Sequence, residues 1–187
     1  MTKPTIKLVA THRIDPEKGR DLIINWLRKI LPDQNFPYRI EYDIYGDGKM
    51  KEDIVALAKA YPDNVRYHGF VSVYTIFAST MDYDFVMMPS RFLETFGLSA
   101  LDFAQFGIPT IGYKKGGVAP FILDNLNISA YPGHTEQEQF DNAMHEICSK
   151  KSNAAKDTAS DYSIDKDSIV SLYSQSHWLE QFRELVS

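Results

Sequence analysis

Short stretches with the residue pattern of β-strands alternate along this chain with stretches that have the apolar spacing of helices. We predict strands over residues 6–11, 38–45, 65–68, 85–88 and 109–113, and a sixth over 128–131. Helices are predicted over residues 15–31, 48–61, 72–80, 98–106 and 135–149. Such alternation favours a parallel sheet covered by helices on both faces. The sequence therefore predicts an α/β fold, a single Rossmann-like domain with an additional C-terminal helix.

Capping residues support two of the helix starts, and composition marks the end of the domain. Asp15-Pro16 places an N-cap residue before proline at the first helical position, and Thr135-x-x-Glu138 has the pattern of a capping box. Residues 150–161 are polar and predict a mobile loop. A last amphipathic helix is expected from residue 165. We divide the chain into a domain over residues 1–164 and a helix over 165–187 that packs back or docks a partner domain.

The overall composition excludes several classes of function. The net charge is −5 and the sequence contains no long basic run, so nucleic acid is not expected as a partner. Cys148 is the one cysteine, which excludes an intrachain disulfide and favours a cytoplasmic location. No signal peptide or transmembrane segment is expected, since no apolar run approaches about 20 residues. The five histidines lack metal-ligand spacing, although His12 is notable because it adjoins Arg13. We therefore expect no metal.

The segment from Met88 to Gly117 carries the clearest chemical signal. Glu94-Thr95-Phe96-Gly97 lies between the fourth predicted strand and a helix, with Thr95 as the expected N-cap. Backbone N–H groups at a helix start attract phosphate, and Gly97 lets a ligand approach the backbone. Because Glu94 is not needed for folding, we expect a hydroxyl-rich ligand that carries phosphate, such as a nucleotide sugar.

Further candidate groups follow the first two strands, where open parallel sheets bind ligands. Arg13 and Lys18 come after the first strand, and cations near a helix start are misplaced electrostatically unless an anion is bound. Gly46-Asp47-Gly48 comes after the second strand. Each group also has a simple structural interpretation. The cations can be solvent-exposed, the glycines can form a tight turn, and Ser99-x-x-Asp102 can be a capping box.

Taken together, these groups resemble the donor-binding, C-terminal half of retaining GT-B glycosyltransferases, the family typified by glycogen synthases. The resemblance covers residues 6–123. In chain order, the residues that carry it are Arg13-x4-Lys18-Gly19, Gly46-x-Gly48, Val65 to Gly69, Pro89-Ser90, Glu94-x7-Asp102 around Phe96-Gly97, Gly107-Ile108-Pro109, and Gly116-Gly117. The chain departs from the family pattern at Asp102, where a glutamate is usual, and at His12, where a small residue is usual.

The resemblance implies a role for each candidate residue in binding a nucleotide-diphospho-sugar. Arg13 and Lys18 hold the diphosphate, and backbone N–H groups of Thr95, Phe96, Gly97 and Leu98 add to that site. Glu94 binds sugar hydroxyls and Asp102 the ribose. Gly46 lies at the site, and the base lies near Gly69, Phe70 and Val71. Arg13, Lys18 and Glu94 form the implied catalytic group.

The implied function is metal-independent, retaining glycosyl transfer in polysaccharide biosynthesis, without a cofactor. The resemblance also implies an N-terminal acceptor domain or a partner chain that completes the enzyme. Two alternatives stay open: a non-catalytic nucleotide-sugar-binding subunit of a two-chain enzyme, and half of a nucleotide-sugar epimerase. A dehydrogenase is disfavoured because no third glycine completes a dinucleotide fingerprint.

Overall fold

The computed structural model describes residues 3–77, 82–154, 164, 165 and 167 of this 187-residue chain. Its parallel strands are β1 (Thr5–Ala10), β2 (Arg39–Tyr45), β3 (Val65–Gly69), β4 (Phe85–Met88) and β5 (Thr110–Gly112). Its α-helices are α1 (Arg20–Ile30), α2 (Lys51–Ala60), α3 (Val73–Phe77), α4 (Leu98–Ala104) and α5 (Glu136–Ala154). Short 3-10 turns cover Pro16–Lys18, Gly116–Phe121, Asp124–Leu126 and Ile128–Ala130.

The sheet has the order β3-β2-β1-β4-β5, and all four pairings are parallel. β1 lies at the centre, where Leu8 is paired with Tyr42 of β2 and with Phe85 of β4. The chain runs outward from β1 to β3 and then returns to place β4 on the other side of β1. In open sheets of this kind, ligands bind beyond the carboxyl ends of the strands, at the position where the strand order reverses. Here that position lies between β1 and β4. The predicted α/β Rossmann-like fold class is confirmed.

Two apolar cores cover the two faces of the sheet, because successive strand residues point to opposite sides. Leu8 belongs to the larger core, which includes the buried faces of α1, α2 and α5. Val9 belongs to the smaller core, together with Ile76 of α3 and Phe103 of α4. In the larger core, Trp26 makes edge contacts with the rings of Phe36 and Phe140. Both faces of the sheet are thus covered by packed helices.

The structure corrects the predicted first helix. Pro16–Lys18 forms a 3-10 turn, Gly19 adopts a left-handed conformation with φ of 68°, and α1 begins at Arg20. Asp15 makes no side-chain capping bond. Its Oδ1 instead accepts a hydrogen bond from the Lys49 backbone N–H at 2.9 Å. Lys18 therefore lies in a separate turn before α1 and not in the first turn of the helix.

The predicted sixth strand and the polar loop are also corrected. Ile128–Ala130 is a 3-10 turn, because the Asn127 side chain accepts the Ser129 N–H and holds the backbone in a turn. Residues 150–154 continue α5 and are not part of a loop. The capping box is confirmed, since the Glu138 N–H donates to Thr135 Oγ1 at 3.1 Å and the Thr135 N–H to Glu138 Oε2 at 3.3 Å. The remainder of the predicted loop and nearly all of the predicted terminal helix lie outside the described residues.

Candidate functional site

The predicted site residues lie at the carboxyl ends of the strands, on loops that follow β1, β2, β3 and β4. Lys18 and Glu94 form an ion pair there, with side chains only 14% and 16% exposed. Arg13 is far more exposed, at 67%, and its Nη1 lies 2.9 Å from Asp15 Oδ2. Both predicted phosphate-binding cations thus already have a carboxylate partner. Their placement near a helix start does not by itself require a bound anion.

The charge state of Glu94 reflects two opposing effects. Burial works against its charged form, but the hydrogen bond from Lys18 and the positive charges of Lys18 and Arg13 outweigh burial, so the pKa of Glu94 lies below its ordinary value. Glu94 is therefore an anion at neutral pH. A carboxylate accepts hydrogen bonds but cannot donate them, so Glu94 suits a ligand with hydroxyl donors.

A cavity of about 110 Å³ brings together predicted residues from the loops after β2 and β3 and from helix α4. Four predicted residues line it, namely Gly46, Phe70, Val71 and Asp102, together with Thr11, Tyr45, Ile76 and Ser99. Asp102 is half-buried, and burial raises the pKa of its carboxyl group. Among the described residues its carboxylate has neither a hydrogen bond nor an ion pair. An acidic group without an internal partner is available to a ligand.

The start of α4 differs from the prediction. Gly97 is the N-cap residue, with φ of 63°, and no side chain caps this helix. Thr95 is therefore not the N-cap, and Ser99 and Asp102 do not form a capping box because both lie inside the helix. A Cβ on Gly97 would lie 3.0 Å from the Val118 Cα, so this glycine also permits close packing on the neighbouring loop.

The glycines after β2 bring two site loops together. A Cβ on Gly46 would lie 2.8 Å from the His12 carbonyl oxygen, and one on Gly48 would lie 2.6 Å from the Ile14 carbonyl oxygen. The Ile14 N–H also donates to the Asp47 carbonyl at 2.9 Å. These glycines thus do more than form a tight turn, because they hold the loop after β2 against the loop that carries Arg13.

A buried arginine, Arg20, contacts the loop that carries Arg13. Arg20 is fully buried and donates from Nη1 to the Tyr42 hydroxyl at 2.6 Å and from Nη2 to the His12 carbonyl at 3.0 Å. Burial, together with the charges of Arg20 and Lys18, keeps the pKa of His12 well below its usual range. His12 is therefore a neutral, buried residue that supports the loop.

The sequence interpretation missed several residues of the site. Tyr45 and Thr11 line the cavity, and their positions at the ends of β2 and β1 are the signal that could have identified them. Arg91 contacts both Asp21 and Glu136, which lie 70 and 45 residues away in sequence. No local pattern indicates such distant partners.

Other parts of the described structure do not compete with this site. A larger cavity of about 750 Å³ lies at the opposite, amino end of the sheet and contains none of the predicted residues. Two of its polar side chains, Lys3 and Asn64, donate to backbone carbonyls. Within residues 3–77 and 82–154, no group of three or more His, Cys, Asp or Glu side chains has the arrangement of a metal site. None of the helices in this part of the chain is both long and apolar enough to cross a membrane.

Comparisons with known proteins define the class. Residues 2–161 match the family of group 1 glycosyl transferases. The chain belongs to this family, and the predicted resemblance is confirmed.

Individual relatives agree with that assignment. The chain is 29% identical over 121 residues to the glycogen synthase of Hydrogenovibrio crunogenus. The aligned residues cover 65% of this chain and 24% of that protein. Its fold is similar to that of Anabaena Alr3699/HepE in complex with UDP, with a TM-score of 0.67, 17% identity, and coverage of 97% of this chain and 48% of that one. The pneumococcal O-GlcNAc transferase GtfA, in complex with UDP and GlcNAc, gives a TM-score of 0.65 at 20% identity over 97% of this chain and 35% of that one. The chain thus spans half or less of the length of these relatives.

Proposed function

We propose that this chain binds the nucleotide-diphospho-sugar donor of a glycosyltransferase that transfers the sugar with retention and without a metal. One observation carries the proposal. Residues from two loops and from α4 converge at the carboxyl ends of the strands into a cavity lined by Asp102, whose carboxylate has no partner among the described residues, and the Lys18–Glu94 pair lies at the same edge. The UDP found in structures of the same fold supports a nucleotide as the ligand.

The geometry suits a division of roles among the charged groups. Lys18 carries three N–H donors, so it can keep Glu94 as a partner while it donates to a phosphate oxygen. The exposed Arg13 guanidinium can exchange Asp15 for a phosphate, which suits its planar fork of donors. Positive charge at this point stabilises a departing diphosphate, and such electrostatic stabilisation is usually the largest contribution to catalysis.

The polar and apolar groups of the cavity suit the nucleoside and the sugar. The Asp102 carboxylate accepts hydrogen bonds from ribose hydroxyls, and Glu94 accepts them from the sugar. The base lies against Gly69, Phe70 and Val71, where Phe70 is 87% exposed and can stack on a ring. Backbone N–H groups of Thr95, Phe96, Gly97 and Leu98 add donors for the diphosphate.

We further propose that an acceptor-binding domain or a partner chain completes the cleft. Glycosyl transfer needs the donor and acceptor in near-attack geometry with water excluded. The edge of the sheet that carries the site also exposes large apolar side chains, a feature of surfaces that contact a partner. They are Phe70, Tyr74, Phe92, Leu93, Phe96 and Leu98. We propose polysaccharide biosynthesis as the setting of the reaction. We propose the cytoplasm as the compartment, because Cys148 is the single cysteine of the sequence.

Calorimetric titration with UDP, GDP, ADP and dTDP, and with their sugars, tests donor binding in the presence of a chelator. At least one nucleotide should bind the parent chain. Lys18→Ala should weaken binding by about 1.5–3 kcal/mol, the range for a hydrogen bond to a charged group. Lys29→Ala, which alters an ion pair between α1 and Asp141 of α5, is the matched control and should bind like the parent. Equal affinities for Lys18→Ala, Arg13→Ala and the parent would show that the phosphate assignment is wrong.

A further inference from the structure

The segment that carries Glu94, residues 89–97, has no regular secondary structure and is held by close backbone contacts. On one side, a Cβ on Gly19 would lie only 2.1 Å from the Pro89 carbonyl oxygen. On the other side, the Gly117 N–H donates to the Glu94 carbonyl at 2.6 Å, and Lys115 Nζ donates to the Arg91 carbonyl at 2.8 Å. The position of Glu94 thus depends on what fixes this segment to its neighbours.

The Arg91 side chain makes the most extensive of these attachments. Its Nη1 and Nη2 donate to the two carboxylate oxygens of Asp21 at 2.7 and 2.8 Å, and Nη1 also donates to the Pro16 carbonyl. Its Nε donates to Glu136 at 2.8 Å. The Arg91 backbone N–H adds a bond to the Glu17 carbonyl at 2.9 Å. Each nitrogen of Arg91 thus has a partner on another element, namely the 3-10 turn, α1 or α5.

These contacts link the two halves of the proposed phosphate and sugar site. Pro16 and Glu17 belong to the same 3-10 turn as Lys18, and Arg91 lies on the same segment as Glu94. A single exposed ion pair adds little stability, but bidentate geometry and several charges in one network give a defined relative position. The side chain of Arg91 is only 32% exposed, which limits competition from water.

We propose that Arg91 is a positioning residue that fixes the Glu94 segment to the Lys18 turn and so sets the geometry with which the pair receives the nucleotide sugar. The proposal rests on the proposed function for its ligand. The fixed geometry of Lys18 and Glu94 is a property of the free chain and can be measured without any nucleotide.

The first experiment measures the pKa of Glu94 in the ligand-free chain by carbon NMR of labelled glutamate, with Glu94→Gln for assignment. Lys18 and Arg13 are the charged groups that lower this pKa. Arg91→Lys keeps the positive charge but loses the planar, bidentate fork. If Arg91 holds the segment in place, Arg91→Lys should weaken the contact of Glu94 with Lys18, and the pKa of Glu94 should rise towards its ordinary value.

Two further variants make this result specific. Arg28→Lys, which alters an exposed arginine–aspartate pair between α1 and α2, should leave the pKa of Glu94 unchanged. Asp21→Asn removes the main acceptor of Arg91, and it replaces Arg91→Lys if that variant does not fold. Loss of a negative charge alone would lower a nearby carboxyl pKa, so a rise in Asp21→Asn reports a change of geometry. If the pKa of Glu94 is the same in Arg91→Lys and in Asp21→Asn as in the parent, the positioning role is wrong.

The second experiment measures the affinity for UDP and a UDP-sugar. Arg91→Lys should bind the UDP-sugar about tenfold more weakly than the parent, and Arg28→Lys should bind like the parent. If Lys18→Ala weakens binding and Arg91→Lys does not, the positioning role fails while the proposed function stands. If the parent binds no nucleotide, the proposed function fails, and the NMR titration alone decides the role of Arg91.

Discussion

Glu94 and Asp102 lie on either side of the start of α4, and their surroundings differ. Glu94 has Lys18 as a close partner, and its pKa is lowered despite burial. Asp102 has no such partner in the part of the chain that the structure describes, and burial raises its pKa. A partly buried carboxylate without a partner costs stability, and such residues are often kept for function. Glu94 is thus held in place by an internal partner, whereas the Asp102 carboxylate is available to a ligand.

We expect Asp102→Asn to stabilise the ligand-free chain at neutral pH and to weaken nucleotide binding. Because the folded-state pKa of Asp102 lies above the unfolded value, its charged form penalises the folded state. That penalty grows as pH rises through the folded pKa and is absent below about pH 4, near the unfolded value. Urea unfolding at pH 7 and in acid measures the difference from the parent, which should vanish in acid.

Asp63→Asn is the control for this prediction, since Asp63 is an exposed residue in the turn between α2 and β3. It should alter neither stability nor affinity. A loss of stability in Asp102→Asn at pH 7 would mean that the carboxylate serves the fold.

At the scale of elements, Gly19 lies where the local backbone conformation and a contact distant in sequence both favour glycine. Its left-handed conformation separates the 3-10 turn from α1, and the close approach of Pro89 leaves no room for a side chain. Gly69 has nearly the same φ, 70° against 68°, but a Cβ there would meet no atom closer than 3.9 Å. Both glycines therefore need a left-handed backbone conformation, but only Gly19 lacks room for a side chain.

We expect Gly19→Ala to destabilise the chain more than Gly69→Ala. Both variants bear the cost of a left-handed residue, about 1–2 kcal/mol. Only Gly19→Ala also forces the Pro89 segment away, and overpacking of this kind typically costs a further 1–3 kcal/mol. Urea unfolding of both variants checks this difference. Equal losses of stability would show that the Pro89 segment moves aside at little cost.

Local sequence patterns predicted those elements whose causes are local. The bounds of β4 were predicted correctly, because Pro89 ends an apolar stretch, and the capping box at Thr135 was also correct. The 3-10 turn before α1 was missed, and the close approach of Pro89 to Gly19 at its end is a contact that no local pattern indicates. The apolar residues of 128–131 gave a wrong strand, since the Asn127 side chain favours a turn instead.

The candidate site was predictable to a similar extent. Gly46, Phe70, Val71 and Asp102 do converge on one cavity, as expected for loops at one edge of a parallel sheet. The ion pairs of Arg13 and Lys18 and the network of Arg91 were not foreseen, because side-chain partners across the fold have no fixed spacing in sequence. Whether these residues bind a nucleotide sugar stays a prediction.

At the scale of the whole molecule, the central position of β1 determines when the proposed site can form. Lys18 follows β1 and Glu94 follows β4, so the two are 76 residues apart in sequence. The run from β1 to β3 is contiguous, whereas the pairing of Leu8 with Phe85 needs the chain to close a long loop. Contacts between residues so far apart in sequence cost more loop-closure entropy than local contacts, and they form later in folding.

This topology has a kinetic consequence for the nucleotide. A ligand that needs both β1 and β4 in place finds no complete binding site in the folding transition state. The ligand therefore stabilises mainly the native state. We therefore expect a saturating nucleotide to slow unfolding by about the factor that it adds to the equilibrium constant, with little change in the refolding rate. Stopped-flow unfolding and refolding in urea, with and without UDP, measures both rates. Faster refolding with UDP would place the β1–β4 pairing before the rate-limiting barrier, and the chain would then acquire its binding site early in folding.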